Sequence, residues 1–182
     1  MFKKILLGIV VLVIVLVAVF LVMVMLQPSQ YQIERTATIN APAPVVFAQV
    51  NDFHKWNAWS PWANLDPNMK QTFDGQASGV GAMYSWAGNS DVGEGKMTII
   101  DSRPGQLVKI QLEFIKPFAA SNTTDFIFTP QGNQTNVKWT MSGTNNFIAK
   151  AFCVFVSMDK MVGGDFEKGL AKLKTVSEAA PK

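Results

Sequence analysis

The groups in this 182-residue chain that could do chemistry are few: one His, one Cys and 13 Asp plus Glu. His54 as a general acid or base would need a partner group and a reacting atom within about 3 Å. Its nearest carboxylate in sequence, Asp52, equally fits the cap of a short helix. Cys153 sits in the apolar run Phe152-Cys153-Val154-Phe155, a setting that leaves a thiol buried and inert. Single copies of Cys and His rule out a disulfide framework and give no zinc site or Cys–His nucleophile pair. Asp91/Glu94 and Asp165/Glu167 are the closest acidic pairs that could serve as a glycosidase-type dyad, yet they read as a turn and a helix surface. Asp165 stands apart because Gly163-Gly164 precedes it and a bend there would turn it inward. His54 and Asp165 are therefore the catalytic candidates. Gly79-Val80-Gly81 and Gly93-Glu94-Gly95 are hairpin or bulge positions rather than phosphate loops, since neither opens a helix. No metal or cofactor is indicated.

Aromatic residues are the richer signal. Three of the five Trp fall within His54-Lys55-Trp56-Asn57-Ala58-Trp59-Ser60-Pro61-Trp62. Such a stretch lines a cavity mouth, meets a membrane interface, or pins a loop with large rings.

The elements that position these residues begin with Ile5–Leu26, 22 residues without a charged or polar side chain. As a helix this run spans roughly 33 Å, against about 30 Å of bilayer hydrocarbon. A cleaved signal has a shorter apolar region and a small-x-small cleavage site, which Met23–Gln30 lacks. Residues 1–26 are thus expected to be a transmembrane anchor, 27–30 a linker, 31–178 one domain and 179–182 a tail. Lys3 and Lys4 place the N-terminus in the cytoplasm and the domain outside the inner (plasma) membrane, in the periplasm of a bacterium. Without those two lysines the formal charge of +3 falls to +1, with signs interspersed. Nucleic acid needs a basic face, so it is not an expected partner.

In the domain, Tyr31–Ile39 alternates as a strand. Pro42 and Pro44 open a short helix ending near Asn51, and Asp52 caps a second over Phe53–Trp59. Six strands follow, at Met69–Phe73, Gly81–Trp86, Gly95–Ser102, Leu107–Ile115, Asn122–Phe128 and Asn136–Ser142, joined by short turns that favour an antiparallel meander. Val108, Ile110, Leu112 and Phe114 share one face, as do Phe126 with Phe128, and Val137 with Trp139 and Met141. This apolar face needs a cover. The cover is a long helix from Asn146 to about Glu178, interrupted at Gly163-Gly164.

This order resembles the helix-grip fold of the START/Bet v1-like superfamily. The residue pattern resembles its bacterial SRPBCC members of the polyketide cyclase/dehydrase and lipid transport type. The resemblance rests on Ile39–Phe47, Val50–Trp56, Trp59–Trp62, Gly79–Gly81 and Gly164–Leu170 and covers about Tyr31 to Ser177. It implies an α+β fold, an antiparallel sheet wrapped on the C-terminal helix, with a cavity between them. Trp59, Trp62, Met83, Phe114, Phe126, Phe128, Trp139, Phe155, Met158 and Met161 are the expected ligand-binding residues, although each also suits simple core packing. The leading expectation is a membrane-anchored binder of a hydrophobic small molecule or lipid. A cyclase- or aromatase-like enzyme and an interaction module with a filled core are the alternatives, and oligomeric state is left open.

Overall fold

The computed structural model describes residues 2–180; Met1 and Pro181–Lys182, the ends of the expected anchor and tail, lie outside the described residues. The chain runs α1 (Phe2–Leu26), β1 (Gln30–Ile39), α2 (Ala43–Val50), a 3-10 turn (Phe53–Ala58), β2 (Lys70–Gly75), β3 (Ala82–Ala87), β4 (Glu94–Arg103), β5 (Leu107–Lys116), β6 (Ala120–Gln131), β7 (Gln134–Thr144), α3 (Phe147–Cys153) and α4 (Met158–Glu178). The seven strands form one antiparallel sheet in the order β1-β7-β6-β5-β4-β3-β2. Short turns make this order inevitable for β2–β7, because consecutive antiparallel strands joined by a few residues pair with each other. A register shift between Ile99 and Asp101 lets Ile100 bulge outward and bends β4. The result is the helix-grip architecture: a curved sheet closed on one face by α4 and α2.

Period-two burial assigns the faces. Val108, Ile110, Phe126, Phe128, Val137 and Trp139 are all at most 3% exposed on the inner face. From α4, Gly163, Phe166, Gly169, Leu170, Leu173 and Ser177 are buried, mostly three or four residues apart along one helix face. Two glycines bring this helix close. A Cβ at Gly169 would stand 2.7 Å from Trp139 Cζ3, and one at Gly163 would strike the Arg35 guanidinium. Arg35, on the β1 edge strand, donates from Nε to Glu167 (2.7 Å) and from Nη1 to Asp159 (2.9 Å), clamping α4 to the sheet.

The C-terminal helix departs from the sequence expectation in one respect. It is not one helix interrupted at Gly163-Gly164, because both glycines are helical within α4. The break lies at Val154–Ser157. Asn146 caps α3 by accepting from the Ala149 N–H (2.9 Å), and Ser157 caps α4 by accepting from the Lys160 N–H (3.4 Å). Two competing N-caps start two helices, and β-branched Val154 and Val156 lie between them. The glycine pair serves close packing instead of a bend.

α1 is long and apolar enough to cross a membrane, and only 6% of its most apolar window is buried against the rest of the chain. It is not loosely tethered. Asn145 donates its backbone N–H to Ser29 O (2.9 Å) and its side chain to Pro28 O (3.1 Å), while Lys150 Nζ reaches Ser29 Oγ (2.8 Å). Val24 is fully buried, and Phe20 stacks on Phe155 with ring centroids 5.8 Å apart.

Candidate functional site

Under α4 the sheet is filled with rings. Trp139 stacks on Phe166 at 3.9 Å and 6° and on Phe126 at 4.7 Å, and takes edge contacts from Trp59 (5.8 Å) and Trp62 (6.0 Å). Trp59 and Phe126 are fully buried, with Trp139 at 2% and Phe128 at 3%. The Trp-rich stretch is pinned rather than mobile: Trp56 Nε1 donates to Val50 O (2.9 Å) and Trp59 Nε1 to Gln49 O (3.1 Å). These rings build the wall that α4 rests on.

Beside this wall the inner face is not fully covered. Cross-strand register aligns Phe73, Tyr84, Met97, Leu112, Asn122, Gly143 and Tyr31 in one row running across the sheet from β2 to β1. Next to it, one step toward the end of the sheet where α1 leaves, lie Trp86, Gly95 and Phe114. Phe73, Tyr84, Trp86, Leu112 and Phe114 are each partly exposed. Their rings touch in sequence: Phe73–Tyr84 at 5.3 Å, Tyr84–Trp86 at 5.9 Å and Trp86–Phe114 at 6.0 Å. Gly95 makes this possible, since a Cβ there would sit 2.5 Å from Trp86 Cζ2. The indole lies over bare backbone, held by Nε1 donating to Val92 O (2.9 Å). Met158, Val162 and Trp62 are likewise partly buried and pack against the filled interior.

Two phenols lie along the row. The Tyr31 hydroxyl donates to Asn122 Oδ1 (2.9 Å). Burial pushes its pKa up, the nearby Cys153 adds to this, and the Asn122 bond opposes it. Burial also raises the Tyr84 phenol, with no hydrogen bond offsetting it. Both stay protonated at neutral pH; the Tyr84 O–H is left as a donor, while Tyr31, whose O–H is taken by Asn122, offers only an acceptor oxygen.

The expected residues are thus distributed among four environments. Trp59, Phe126, Phe128 and Trp139 are core. Trp62, Phe114 and Met158 are partly buried. Met83 is on the outer face, 38% exposed, opposite to Tyr84. Phe155 and Met161 are 78% and 48% exposed, outside the sheet–helix interior. Phe73, Tyr84 and Trp86 lie outside the expected set; in β3 the large apolar Met83 beside Tyr84 blurs the alternation that would have selected Tyr84 and Trp86.

The catalytic candidates do not converge. His54 stacks on Phe73 at 4.2 Å, and its Nδ1 stands 3.0 Å from Asp52, which caps the 3-10 turn; the imidazole is 55% exposed. Asp165 is not turned inward, because no bend occurs beside it; it pairs with Lys168 at 2.9 Å on the helix surface. Cys153 is half-buried rather than enclosed. Among the described residues no group of three or more His, Cys, Asp or Glu is placed to hold a metal. Two open hollows of about 620 Å3 and 380 Å3 lie mainly on the outer sheet face; the first is lined by Gln30, Gln32, Gln111 and Thr123, the second by Lys70, Thr72 and Lys96.

A fold of this kind has known relatives. Residues 30–178 match the family model described as polyketide cyclase / dehydrase and lipid transport. The chain belongs to that family. Among solved structures, protein MLL2253 from Mesorhizobium loti is similar with a TM-score of 0.61 at 14% identity, over 84% of this chain and 100% of that one. The Aha1 dimer from Colwellia psychrerythraea gives 0.60 at 18%, over 84% and 99%. Protein CV1439 from Chromobacterium violaceum gives 0.59 at 13%, over 84% and 99%. At such identities the likeness is one of fold. No curated protein matches the sequence significantly.

Proposed function

We propose that this polyketide cyclase/dehydrase and lipid transport family member binds a hydrophobic small molecule or lipid in the inner-face groove, from a domain held at a membrane by α1. The observation that carries the reading is the unbroken row of partly exposed rings Phe73–Tyr84–Trp86–Phe114 beside an already filled core. Apolar side chains left partly exposed on the sheet face that the helices cover, with core neighbours available, are the kind of lining a hydrophobic ligand site uses. Burying about 300 Å2 of apolar ligand there would supply roughly 7 kcal/mol before association costs. The Tyr84 and Tyr31 hydroxyls supply orientation. Lys3 and Lys4 at the start of α1 set the N-terminus in the cytoplasm and the domain on the opposite side.

A diazirine-bearing fatty acid, photolysed with the full-length protein and mapped by peptide mass spectrometry, tests the groove. Labels are expected on β3 and β5, around Tyr84, Trp86, Leu112 and Phe114. Labels confined to α1, or spread evenly over the outer face, would overturn the reading.

A further inference from the structure

Among the described residues after α1, the exposed Phe side chains all lie at one end of the molecule. Phe147, Ile148, Phe152 and Phe155 on and after α3 are 56%, 63%, 49% and 78% exposed. A helix showing this much apolar surface without a protein partner has a different solvent or a different neighbour. Its position says which. Phe155 stacks on Phe20, and Phe20 lies six residues before Leu26, the end of α1. At 1.5 Å per residue that is about 9 Å back along the apolar helix. Whatever surrounds α1 at Phe20 also surrounds the free side of Phe155.

A second apolar element occupies the same end of the sheet. The register Tyr31–Gly143–Asn122–Leu112 places the start of β1, where α1 leaves, level with the β5–β6 hairpin. The tip of that hairpin carries Phe118, 68% exposed. Basic residues flank the apolar ones: Lys150 is held to Ser29 at the helix exit, and Lys116 is paired with Glu94 (2.7 Å) at the hairpin base. The Lys150 ammonium, bonded to a neutral hydroxyl beside an apolar face, suits a phosphate of a headgroup layer, whereas Lys116 is already paired.

We infer that α3, Phe155 and the Phe118 hairpin tip are embedded in the bilayer leaflet through which α1 exits, so that the domain is seated in the lipid instead of hanging from a tether. This rests on the reading of α1 as a membrane span, which forms part of the proposed function. It adds that the Trp86–Phe114 end of the groove faces that leaflet, because it lies at the same sheet end as α1. An interfacial helix sinks about 5–10 Å into the headgroup and acyl boundary, which matches the depth set by Phe20.

Nitroxide accessibility tests it on the full-length chain in phosphatidylcholine–phosphatidylglycerol vesicles. Cys153→Ser serves as background, with single labels at Val13→Cys, Phe118→Cys, Phe155→Cys and, on the outer sheet face, Ile100→Cys. The expected result is that the labels at 118, 155 and 13 collide preferentially with oxygen, while the label at 100 collides with an aqueous nickel chelate. If position 13 is in lipid but 118 and 155 match the aqueous label at 100, the seating is overturned and the span stands. If position 13 is aqueous as well, both fail. Labels at 118 and 155 that are shielded from both agents and spin-coupled would identify a second copy of the chain as the occupant and also overturn the proposal. Phe152→Cys is a substitute label should either of those two prevent reconstitution.

Discussion

Gly163 and Gly164 are adjacent, both helical, and chemically identical, yet the structure assigns them different tasks. A Cβ at Gly164 meets nothing within 4 Å, whereas one at Gly163 strikes the Arg35 guanidinium. Gly164→Ala is therefore expected to stabilise the domain by about 0.5–1 kcal/mol, the ordinary helix-propensity gain. Gly163→Ala forfeits that gain, because Arg35 cannot move aside without loosening its bonds to Asp159 and Glu167. Urea denaturation of the two variants reads this directly; equal stabilisation would contradict the close approach. The same clamp sets an acid response. Hydrogen bonding to Arg35 depresses the Asp159 pKa, and bonds from Lys174 and the Asn40 N–H depress that of Glu178. A carboxylate whose folded pKa is lowered stabilises the fold above its unfolded pKa of about 4 and loses that contribution as the pH falls through the folded value. The denaturation midpoint is expected to drop as the pH is lowered below about 4, and to drop less steeply in Asp159→Asn and in Glu178→Gln. The Arg35 pairings were not visible in the sequence, since Arg35 lies over 120 residues from both partners, whereas Lys174 and Glu178 are an ordinary i,i+4 pair.

At the scale of elements, period-two alternation made all seven strands legible, and the inner faces of β5, β6 and β7 followed from it. Where alternation is blurred, it failed. In β3, Met83, Tyr84 and Trp86 are all large and apolar, so polarity alone does not reveal the parity that register with Met97 and Phe73 imposes. The C-terminal helix misled for a related reason. The apolar steps through Phe147, Ala151, Phe155 and Met158 continue across the α3–α4 break, whereas the break itself is made by the Ser157 cap and the turn after Phe152. One stripe thus covers two surfaces, one against the sheet and one facing away. The core wall and the groove lining should separate on substitution. Trp139→Ala removes a ring stacked on both Phe166 and Phe126 and is expected to cost about 3–5 kcal/mol of stability. Trp86→Ala, at a partly exposed ring over Gly95, should cost markedly less stability while weakening capture of the photoreactive fatty acid. Thermal denaturation paired with labelling yield distinguishes them, and equal destabilisation would place Trp86 in the core instead of a groove.

For the molecule as a whole, α1 is docked against the domain. Asn145, Lys150 and Phe155 on one side meet Pro28, Ser29 and Phe20 on the other, leaving a connection of only three residues between α1 and β1. The sequence showed the apolar run and its basic flank but not this docking, because both contributing surfaces read as separate hydrophobic segments. Under the proposed orientation, an alkaline phosphatase fused after Lys182 is expected to be active; an inactive fusion, with green fluorescence from the equivalent cytoplasmic reporter, would reverse the orientation. The central claim, that the inner face holds a hydrophobic passenger, is tested most directly by native mass spectrometry of the full-length protein purified from its own host, with organic extraction of the same sample. The account predicts a bound apolar molecule in fixed stoichiometry that is lost when Leu112 and Phe114 are both replaced by Asp in a protein that still folds. A protein that is empty as purified, and still empty after incubation with host lipid extract, would contradict it.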